Sequence, residues 1–552
     1  MNPVVQREFF GILRSPKSFG ILLTLSFAFA IMVLLRWPSG GTVDLSGTQS
    51  MDVFRVLGYG LLSGIVFLVP AFPATSIVNE KNSGTLALLL NSPLSALSIY
   101  FGKVSGVLLF SALVLISSLP AAAACYAMGG IDLVSQLGLL YFLLCVLIVQ
   151  YTTLGMLVSS LVSTADAGVR VTYTIVLGLF FFSLIPSMLV RGTPQPGLIG
   201  TIVTAIRGLS PMPAVMEIMG HSGVGGSGLR ELPSTIGFLA VTLASSAVFA
   251  VITLRRMNYR IFDNSRDQGV ITDDRTIQAR LFRRLLYIVD PQRRKSGIPW
   301  YMNPVMVKEF RCRRFGRSQW LLRLISVCAV VSMVLTFLAT TSATAWGVDA
   351  VGGLLVVMQV LLVVVLAPSL ASGLISGERD GGGWELLRAT PLTAFKIVRG
   401  KILSVVWTLS MVLLATLPGY LVMVVIRPTM WLQIQLVLVC LVWTTILALT
   451  VSAAVGSLFR STAVSTSATY VCVVTLYLAP ILVWLGRDAP FGHETVQNAL
   501  LLTPVGAALS VIEAPGFAKY DLLPMAWWLA GVISLLMLFV LGIQTWRLSR
   551  AV

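Results

Sequence analysis

Long stretches without a charged residue dominate the pattern of hydrophobic and polar positions in this chain. Twelve of them could supply a helix of roughly 20 apolar residues, the length that crosses a hydrocarbon core about 30 Å thick. They cover residues 18–35, 56–79, 104–131, 133–165, 171–190 and 232–254, and then 324–348, 350–377, 402–426, 428–459, 461–486 and 522–546. We therefore expect an all-α polytopic membrane protein with twelve transmembrane helices.

A thirteenth uncharged run, residues 495–512, differs from the others in composition. It carries the polar residues Thr495, Gln497 and Asn498 and the dipeptide Thr503-Pro504. Proline has no backbone N–H and interrupts a helix interior. We expect an irregular segment here that does not span the membrane.

Composition and charge place the chain in the membrane and give its orientation. It is 56% hydrophobic and only 11% charged, too few charges to cover a water-facing surface. The predicted spans leave most of the 39 Lys and Arg on the side that holds both termini, which the positive-inside rule assigns to the cytoplasm. The net charge of +17 fits contact with anionic lipid rather than nucleic acid, because the loops leave no room for a recognition fold.

The sequence contains one unit written twice. The paired segments are Met1-Asn2-Pro3-Val4 with Met302-Asn303-Pro304-Val305, residues 80–103 with 378–401, and Thr172-Tyr173 with Thr469-Tyr470. Six spans per copy insert both copies in the same orientation, which predicts two parallel six-helix repeats. We expect a first transmembrane domain at 1–256, a basic cytoplasmic connector at 257–300 and a second transmembrane domain at 301–552.

Each repeat opens with Asn-Pro followed by mixed basic and apolar residues. Asparagine is a good helix N-cap and proline a good first helical residue. Val4, Phe9 and Leu13 alternate with Arg7 and Lys17 in a pattern that suits an amphipathic helix lying in the headgroup layer. We expect such an interfacial helix before the first span of each repeat.

The loop after the second span of each repeat carries the sharpest signal. Residues 79–93 and 377–391 both read as a polar, glycine-containing lead-in followed by about two turns of helix that stop before a proline. Leu86, Leu89 and Leu90 share one helical face, as do Trp384 and Leu387. An exposed apolar face on a loop suits docking into a groove on a cytoplasmic protein, although packing against the chain's own helices remains an alternative.

These features resemble the type-2 ABC exporter permeases. The family's loop between spans two and three, Glu-x-x-x-Gly-Thr-x-x-x-Leu-x-x-x-Pro, is matched by Glu80, Gly84, Thr85, Leu89 and Pro93. The second copy keeps Glu378, Gly382, Leu387 and Pro391, but Gly383 replaces the threonine and Trp384 the leucine that follows it. The Leu-Ser/Thr-Pro before each sixth span is also similar to the family, whose members carry a re-entrant hairpin there, here at 207–221 and 495–512.

The resemblance implies a permease subunit of an ATP-driven exporter in a bacterial cytoplasmic (inner) membrane. The loop helices after spans two and eight would couple two separate ABC ATPase subunits to the spans. The implied coupling residues are Glu80, Gly84, Thr85, Leu86, Leu89, Pro93, Glu378, Gly382, Trp384, Leu387 and Pro391. The chain has no phosphate-binding loop, so it is not expected to be an enzyme or to hold a cofactor, and ATP and Mg would bind the partner. The family does not indicate the substrate.

Three other functions compete with this interpretation. An ion-coupled secondary transporter usually carries ionisable residues at membrane depth, and no span as drawn contains one. A membrane-embedded enzyme would need a cluster of acids, an activated nucleophile or a metal set, and the sequence suggests none. A membrane scaffold or assembly factor with an ATPase partner stays open. Polar residues that could line a pathway are Ser63, Thr75, Ser183, Gln359, Ser372 and Ser467.

Overall fold

A computed structural model describes residues 3–13, 16–34, 48–183, 206–220, 234–259, 303–312, 326, 330, 333, 348–485 and 491–549. Within these ranges every regular element is a helix, which confirms the all-α class. By length and composition, nine helical segments of the described residues could cross a membrane: Ser50–Asn82, Ala96–Ala127, Leu133–Leu161, Thr235–Met257, Val351–Asp380, Ala394–Ile426, Pro428–Leu458, Thr462–Trp484 and Met525–Ser549.

Each of these nine segments overlaps one of the twelve predicted spans. Of the other three, the run 18–35 coincides with a described helix at Pro16–Leu34. The run 171–190 is described only as far as residue 183, and 324–348 lies almost entirely outside the described residues. The structure therefore supports a multi-pass membrane protein, and the arrangement of twelve helices in two repeats stays a prediction.

The chain divides into two compact units, residues 1–264 with 485–492, and residues 265–484 with 493–552. The helices of the first unit are α1 (Pro3–Leu13), α2 (Pro16–Leu34), α3 (Thr48–Leu68), α4 (Ala71–Asn82), α5 (Thr85–Leu90), α6 (Ala96–Ser117), α7 (Leu119–Ala127), α8 (Leu139–Leu161), α9 (Ala165–Phe182), α10 (Pro211–Ile218) and α11 (Ser234–Tyr259). A π-helical turn at Leu133–Gly138 leads into α8. Helix α8 lies at the centre, packed against α4, α6, α9 and α11.

The second unit contains several elements in a similar order. Its helices are α12 (Pro304–Cys312), α13 (Val348–Ala371), α14 (Gly373–Asp380), α15 (Gly383–Arg388), α16 (Ala394–Ile426), α17 (Trp431–Leu458), α18 (Thr462–Leu485), α19 (His493–Leu501), α20 (Pro504–Val511) and α21 (Met525–Ser549). Helix α17 has the central place here, packed against α13, α14, α16, α20 and α21. The connector predicted at 257–300 lies outside the described residues beyond residue 259.

The second span of each repeat contains a break near a proline: Pro70 lies between α3 and α4, and Pro368 lies inside α13, four residues before the break at Ser372. Since proline lacks a backbone N–H, the helical hydrogen-bond ladder is broken there. In both repeats, a tyrosine hydroxyl from the fifth span donates to the backbone carbonyl three residues before this proline. Tyr173 donates to the Phe67 carbonyl, and Tyr470 donates to the Val365 carbonyl over 2.8 Å. This contact explains why Thr172-Tyr173 and Thr469-Tyr470 recur in the sequence.

We expect Tyr470→Phe to lower the free energy of unfolding by about 1 kcal/mol, the net value of one hydrogen bond. The ring would keep its packing, so the change isolates the hydroxyl. The measurement is thermal unfolding of the full chain in detergent. Tyr126→Phe is the matched control, because Tyr126 lies on α7 with its side chain exposed. Equal stability of the two variants would show that the hydroxyl does not support the interrupted helix.

The uncharged run at 495–512 forms two short helices, α19 and α20, joined at Leu502-Thr503, rather than one span. This agrees with the prediction of a non-spanning segment. In the first repeat, α10 begins at Pro211, and the Ser210 hydroxyl accepts a hydrogen bond from the backbone N–H of Met212 over 3.4 Å. Residue 221, the last of the predicted first hairpin, lies outside the described residues.

Candidate functional site

The opening helix of each repeat begins at the proline of its Asn-Pro pair. In the second repeat, the Asn303 side-chain oxygen accepts a hydrogen bond from the Val305 N–H over 2.9 Å, as an N-cap does. The Asn303 amide also donates to the Lys396 carbonyl over 2.9 Å. The cap of α12 is thereby joined to the first turn of α16, the third-span helix of the same repeat.

The opening helices approach the third-span helices closely at glycine. Helix α1 packs along α6, and α12 along α16. A Cβ atom on Gly106 would lie 2.8 Å from the Glu8 Cβ, and one on Gly400 would lie 2.6 Å from the Asn303 side-chain oxygen. Since real Cβ atoms do not approach this closely, a larger residue at either position would push the opening helix outward.

This approach assembles a cluster of charges in the first repeat, here called the first ion-pair cluster and consisting of Arg7, Glu8, Glu80 and Lys103. The Lys103 Nζ lies 3.0 Å from the Glu8 Oε1 and 3.3 Å from the Glu80 Oε1, and the lysine side chain is only 1% exposed. Arg7 pairs with Glu8 over 2.9 Å and also contacts the Glu80 carboxylate. Three helices, α1, α4 and α6, therefore meet at one buried ammonium group.

The second repeat contains the same arrangement, here called the second ion-pair cluster and consisting of Lys308, Glu309, Glu378 and Lys401. The Lys401 Nζ lies 2.7 Å from the Glu309 Oε1 and 2.9 Å from the Glu378 Oε1, with its side chain 1% exposed. The Lys308 Nζ lies 3.1 Å from the same Glu378 oxygen. Each member occupies the position that corresponds to a member of the first cluster.

Charge balance makes these buried groups tolerable. Each cluster holds two cations and two carboxylates, so its formal charge is zero. An unpaired ammonium group buried among helices would cost several kcal/mol, and the hydrogen-bonded carboxylates offset that cost. The hydrogen bond to Glu8, together with the nearby charge of Glu80, raises the pKa of Arg7 above its ordinary value despite partial burial. The Arg7 guanidinium is therefore held in its charged form beside both carboxylates.

Sequence reasoning missed these clusters, although the repeat held the signal for them. Lys103 and Lys401 stand one residue before the predicted third span of each repeat, so both were placed outside the membrane helices. In the structure they lie inside α6 and α16. One lysine and two glutamates recur in both copies of a duplicated apolar chain. This recurrence predicts a paired cluster, because neither an ammonium group nor a carboxylate is tolerated alone inside an apolar bundle.

The loop helix of each repeat follows a glycine in the left-handed region, with φ of +75° at Gly84 and +68° at Gly382. These conformations favour glycine and explain its presence in both copies. The Thr85 hydroxyl then donates to the Glu80 carboxylate, so α5 is attached directly to the first ion-pair cluster. In the second copy Gly383 stands at the position of Thr85, so α15 lacks the hydroxyl that attaches α5 to its glutamate.

The prediction that the face with Leu86 and the face with Trp384 are exposed is wrong, because both side chains point into the bundle. Leu86 is fully buried, and Trp384 is 6% exposed. Leu86 packs in a cluster with Ile77, Tyr100 and Met156, while Leu89 and Leu90 lie partly buried against the same cluster. This face holds the loop helix to its own bundle, which is the alternative left open from the sequence.

The exposed leucines of the loop helices are Leu88 and Leu386. They are 73% and 75% exposed, and they correspond when Glu80 is aligned with Glu378. Residue 88 lies about 200° around the helix from residue 86, on the opposite face. Because residues 86–90 read Leu-Ala-Leu-Leu-Leu, apolar periodicity alone could not decide which leucine faces outward. Pro93 and Pro391 follow the ends of the loop helices, as expected.

The polar residues suggested as pathway contacts each make a hydrogen bond within the bundle, and their place along a pathway stays a prediction. The hydroxyls of Ser63, Thr75, Ser183 and Ser467 each donate to a carbonyl three or four residues earlier in their own helices. Gln359 accepts a hydrogen bond from Tyr420, and Ser372 bonds to Thr466. Among the described residues, no group of three or more His, Cys, Asp or Glu could hold a metal ion.

Comparison with known proteins agrees with the resemblance drawn from the loop motif. Residues 18–255 match a family model described as ABC-2 family transporter protein. The match covers the first repeat, and this family is a membrane component of transport rather than a catalyst. The chain matches no curated protein.

Proposed function

We propose that this chain is the transmembrane permease subunit of an ATP-driven ABC exporter and carries both halves of the permease in one polypeptide. The observation that carries the proposal is the matched pair of exposed leucines, Leu88 and Leu386, on short loop helices of identical position. What favours a partner is the recurrence of an exposed leucine, about three quarters exposed, at the corresponding position of both loop helices, as in a helix that docks into a groove. The match of residues 18–255 to a transporter family supplies the class of that partner, an ABC ATPase.

The ion-pair clusters give the loop helices a mechanical role in this proposal. Thr85 attaches α5 to Glu80, Glu80 pairs with Lys103 on α6, and Lys103 pairs with Glu8 on α1. A push on the loop helix would therefore act on the second span, the third span and the opening helix together. Closure of two ATPase subunits would supply that push at both loops.

The partners and the nucleotide would have definite locations in such an exporter. Both termini and both loop helices would face the cytoplasm of a bacterium, with the chain in its inner membrane. ATP and Mg would bind the two ATPase subunits. The Glu80, Gly84, Thr85, Leu89 and Pro93 motif would form the first coupling loop, and Glu378, Gly382, Trp384, Leu387 and Pro391 the second.

Ion-coupled transport is the second function that an observation favours, because Lys103 and Lys401 are buried ionisable groups. Coupling ions need a site that gains and loses charge as the protein cycles. Each cluster has a formal charge of zero, and each buried ammonium group is paired with two carboxylates, which suits a structural role better. A membrane scaffold with an ATPase partner differs from an exporter in that it moves no substrate.

The test is capture of an ABC ATPase encoded beside the gene by the full chain in lipid nanodiscs. We expect two ATPase subunits per chain, measured by native mass or light scattering, and stimulated ATP hydrolysis in the complex. Capture of one subunit would contradict equivalent coupling loops. Absence of capture from every ATPase encoded nearby would overturn the proposal and favour ion-coupled transport.

A further inference from the structure

The two loop helices differ in the charge that they carry beside the exposed leucine. Helix α5 contains no charged residue, whereas α15 carries Glu385 and Arg388, both exposed. In the alignment that pairs the two loop motifs, the residues of α5 at these positions are Ala87 and Leu90. The exposed leucine of the first repeat therefore belongs to an uncharged helix, and that of the second repeat belongs to a charged one.

A pair of arginines lies before the start of α15. The Asp380 carboxylate accepts hydrogen bonds from the Thr462 backbone N–H over 3.1 Å and from the Thr462 hydroxyl over 2.7 Å, which joins the end of α14 to the start of α18. Arg460, in the loop before α18, is thereby close enough to Arg379 for their positive charges to repel each other. Within the described part of the chain, neither guanidinium belongs to an ion pair.

The first repeat lacks this pair of arginines. Lys81 corresponds to Arg379, but Asn82 stands at the position of the aspartate and Ser163 at the position of Arg460. A cation in the last turn of a helix, such as Lys81 or Arg379, is stabilised by the partial negative charge of the helix end. That explanation does not extend to Arg460, which is exposed in the loop between α17 and α18.

The charges beside the second loop helix indicate the kind of surface that it fits. Arg379 and Arg460 lie before the start of α15 and Arg388 at its end, with Leu386 between them along the chain. Carboxylates of a partner would relieve the repulsion between the first two arginines and form charge-assisted hydrogen bonds with all three. The same carboxylates placed against α5 would lose water without gaining these partners, which is unfavourable. One kind of groove therefore does not suit both loop helices.

We propose that the second loop helix docks into a groove with an acidic rim on one ABC ATPase subunit, and the first loop helix into an uncharged groove on the other. This inference rests on the proposed function. The exposed leucine would fill the groove in both cases, and Arg379, Arg388 and Arg460 would pair with the acidic rim in the second. The two subunits are then different polypeptides, or two non-equivalent halves of one, and the rim charges decide which loop each subunit takes.

The test measures capture of the purified ABC ATPases encoded beside the gene through one loop at a time, by the full chain in nanodiscs. Leu88→Asp leaves the second loop for docking, and Leu386→Asp leaves the first. An increase of NaCl from about 0.1 M to about 0.5 M shortens the range of charge interactions about 2-fold. We expect affinity through the second loop to fall at least about 5-fold, and affinity through the first to change less than about 2-fold.

Single arginine variants identify the charges that meet the rim. Arg388→Gln and Arg460→Gln, each made in the Leu88→Asp chain, should lower the affinity for the ATPase at least about 3-fold and reduce its dependence on salt. Arg547→Gln is the matched control, because it removes an exposed arginine from the last turn of α21, outside the second loop. It should leave the affinity unchanged. Size-exclusion chromatography and thermal unfolding show that each variant is folded.

The outcomes separate this inference from the proposed function. No capture by the unchanged chain would overturn the proposed function, and this inference with it. Capture that responds equally to salt through both loops would overturn the inference alone. Unchanged capture by both arginine variants, together with less phosphatidylglycerol retained around them in the nanodiscs, would assign the arginines to anionic lipid and would also overturn the inference.

Discussion

Replacement of Lys401 by methionine is expected to destabilise the chain by about 3–5 kcal/mol, the cost of removing one partner from a buried ion pair. The lost ammonium group leaves Glu309, whose side chain is 5% exposed, without the lysine only 2.7 Å away. Lys103→Met should cost less, toward about 3 kcal/mol, because Glu8 is 24% exposed and Arg7 still pairs with both carboxylates of the first cluster. The measurement is unfolding of the full chain in detergent, by heat or denaturant.

Lys81→Met is the control for this comparison. Lys81 lies in the last turn of α4 and is partly exposed, so Lys81→Met removes one lysine charge beside the first loop helix. A surface change of this kind should stay within about 0.5 kcal/mol. In the double variant Lys401→Met/Glu309→Gln, part of the lost stability should return, because the side chain at position 309 then carries no charge. If the Lys401→Met and Lys81→Met variants unfold at the same temperature or denaturant concentration, the second cluster does not hold α12, α14 and α16 together.

The second large effect is expected on partner binding. Leu88→Asp combined with Leu386→Asp should abolish capture of the ABC ATPase without lowering the stability of the chain. Full burial of one leucine contributes about 1.5–3 kcal/mol, so each loop should lose at least about 10-fold in affinity, and the pair about 100-fold or more. Capture in nanodiscs and stimulated ATP hydrolysis are the two measurements.

Asn91→Asp separates the effect of the leucine from that of the added charge. Asn91 is exposed just after α5, so this variant places a carboxylate on the same loop and keeps Leu88. It should bind the ATPase nearly as well as the unchanged chain. Leu88→Asp and Leu386→Asp taken singly should weaken capture alike if the two loops are equivalent. Normal capture by the double leucine variant would mean that the partner docks elsewhere.

The sequence predicted the positions of the helices better than the directions in which their side chains point. Charge-free runs located the nine described spans, because a span must exclude unpaired charge along about 20 residues. The Asn-Pro pairs located α1 and α12 because capping is decided by local chemistry. The outward leucine of α5 was missed, since a helix made almost entirely of leucine has no polar face to reveal its rotation. Only packing against Tyr100 and Met156 decides that Leu86 points inward.

The ion-pair clusters were missed for a different reason. Glu8 and Lys103 are far apart in the sequence, and their contact depends on the close approach of α1 to α6 at Gly106. A rule that treats each charge alone places Lys103 at a membrane boundary. The pairing becomes predictable only when the two copies are compared, because both keep the lysine and both glutamates.

The order of the charges along the chain has a consequence for biosynthesis. Glu80 stands near the end of α4 and Lys103 eight residues into α6, so they leave the ribosome close together, after Glu8 has already been made. The second and third spans can then enter the bilayer as a hairpin whose carboxylate and ammonium groups neutralise each other during insertion. Glu378 and Lys401 repeat this order. Each copy thus carries its own counter-charge into the membrane, and neither needs the other to insert.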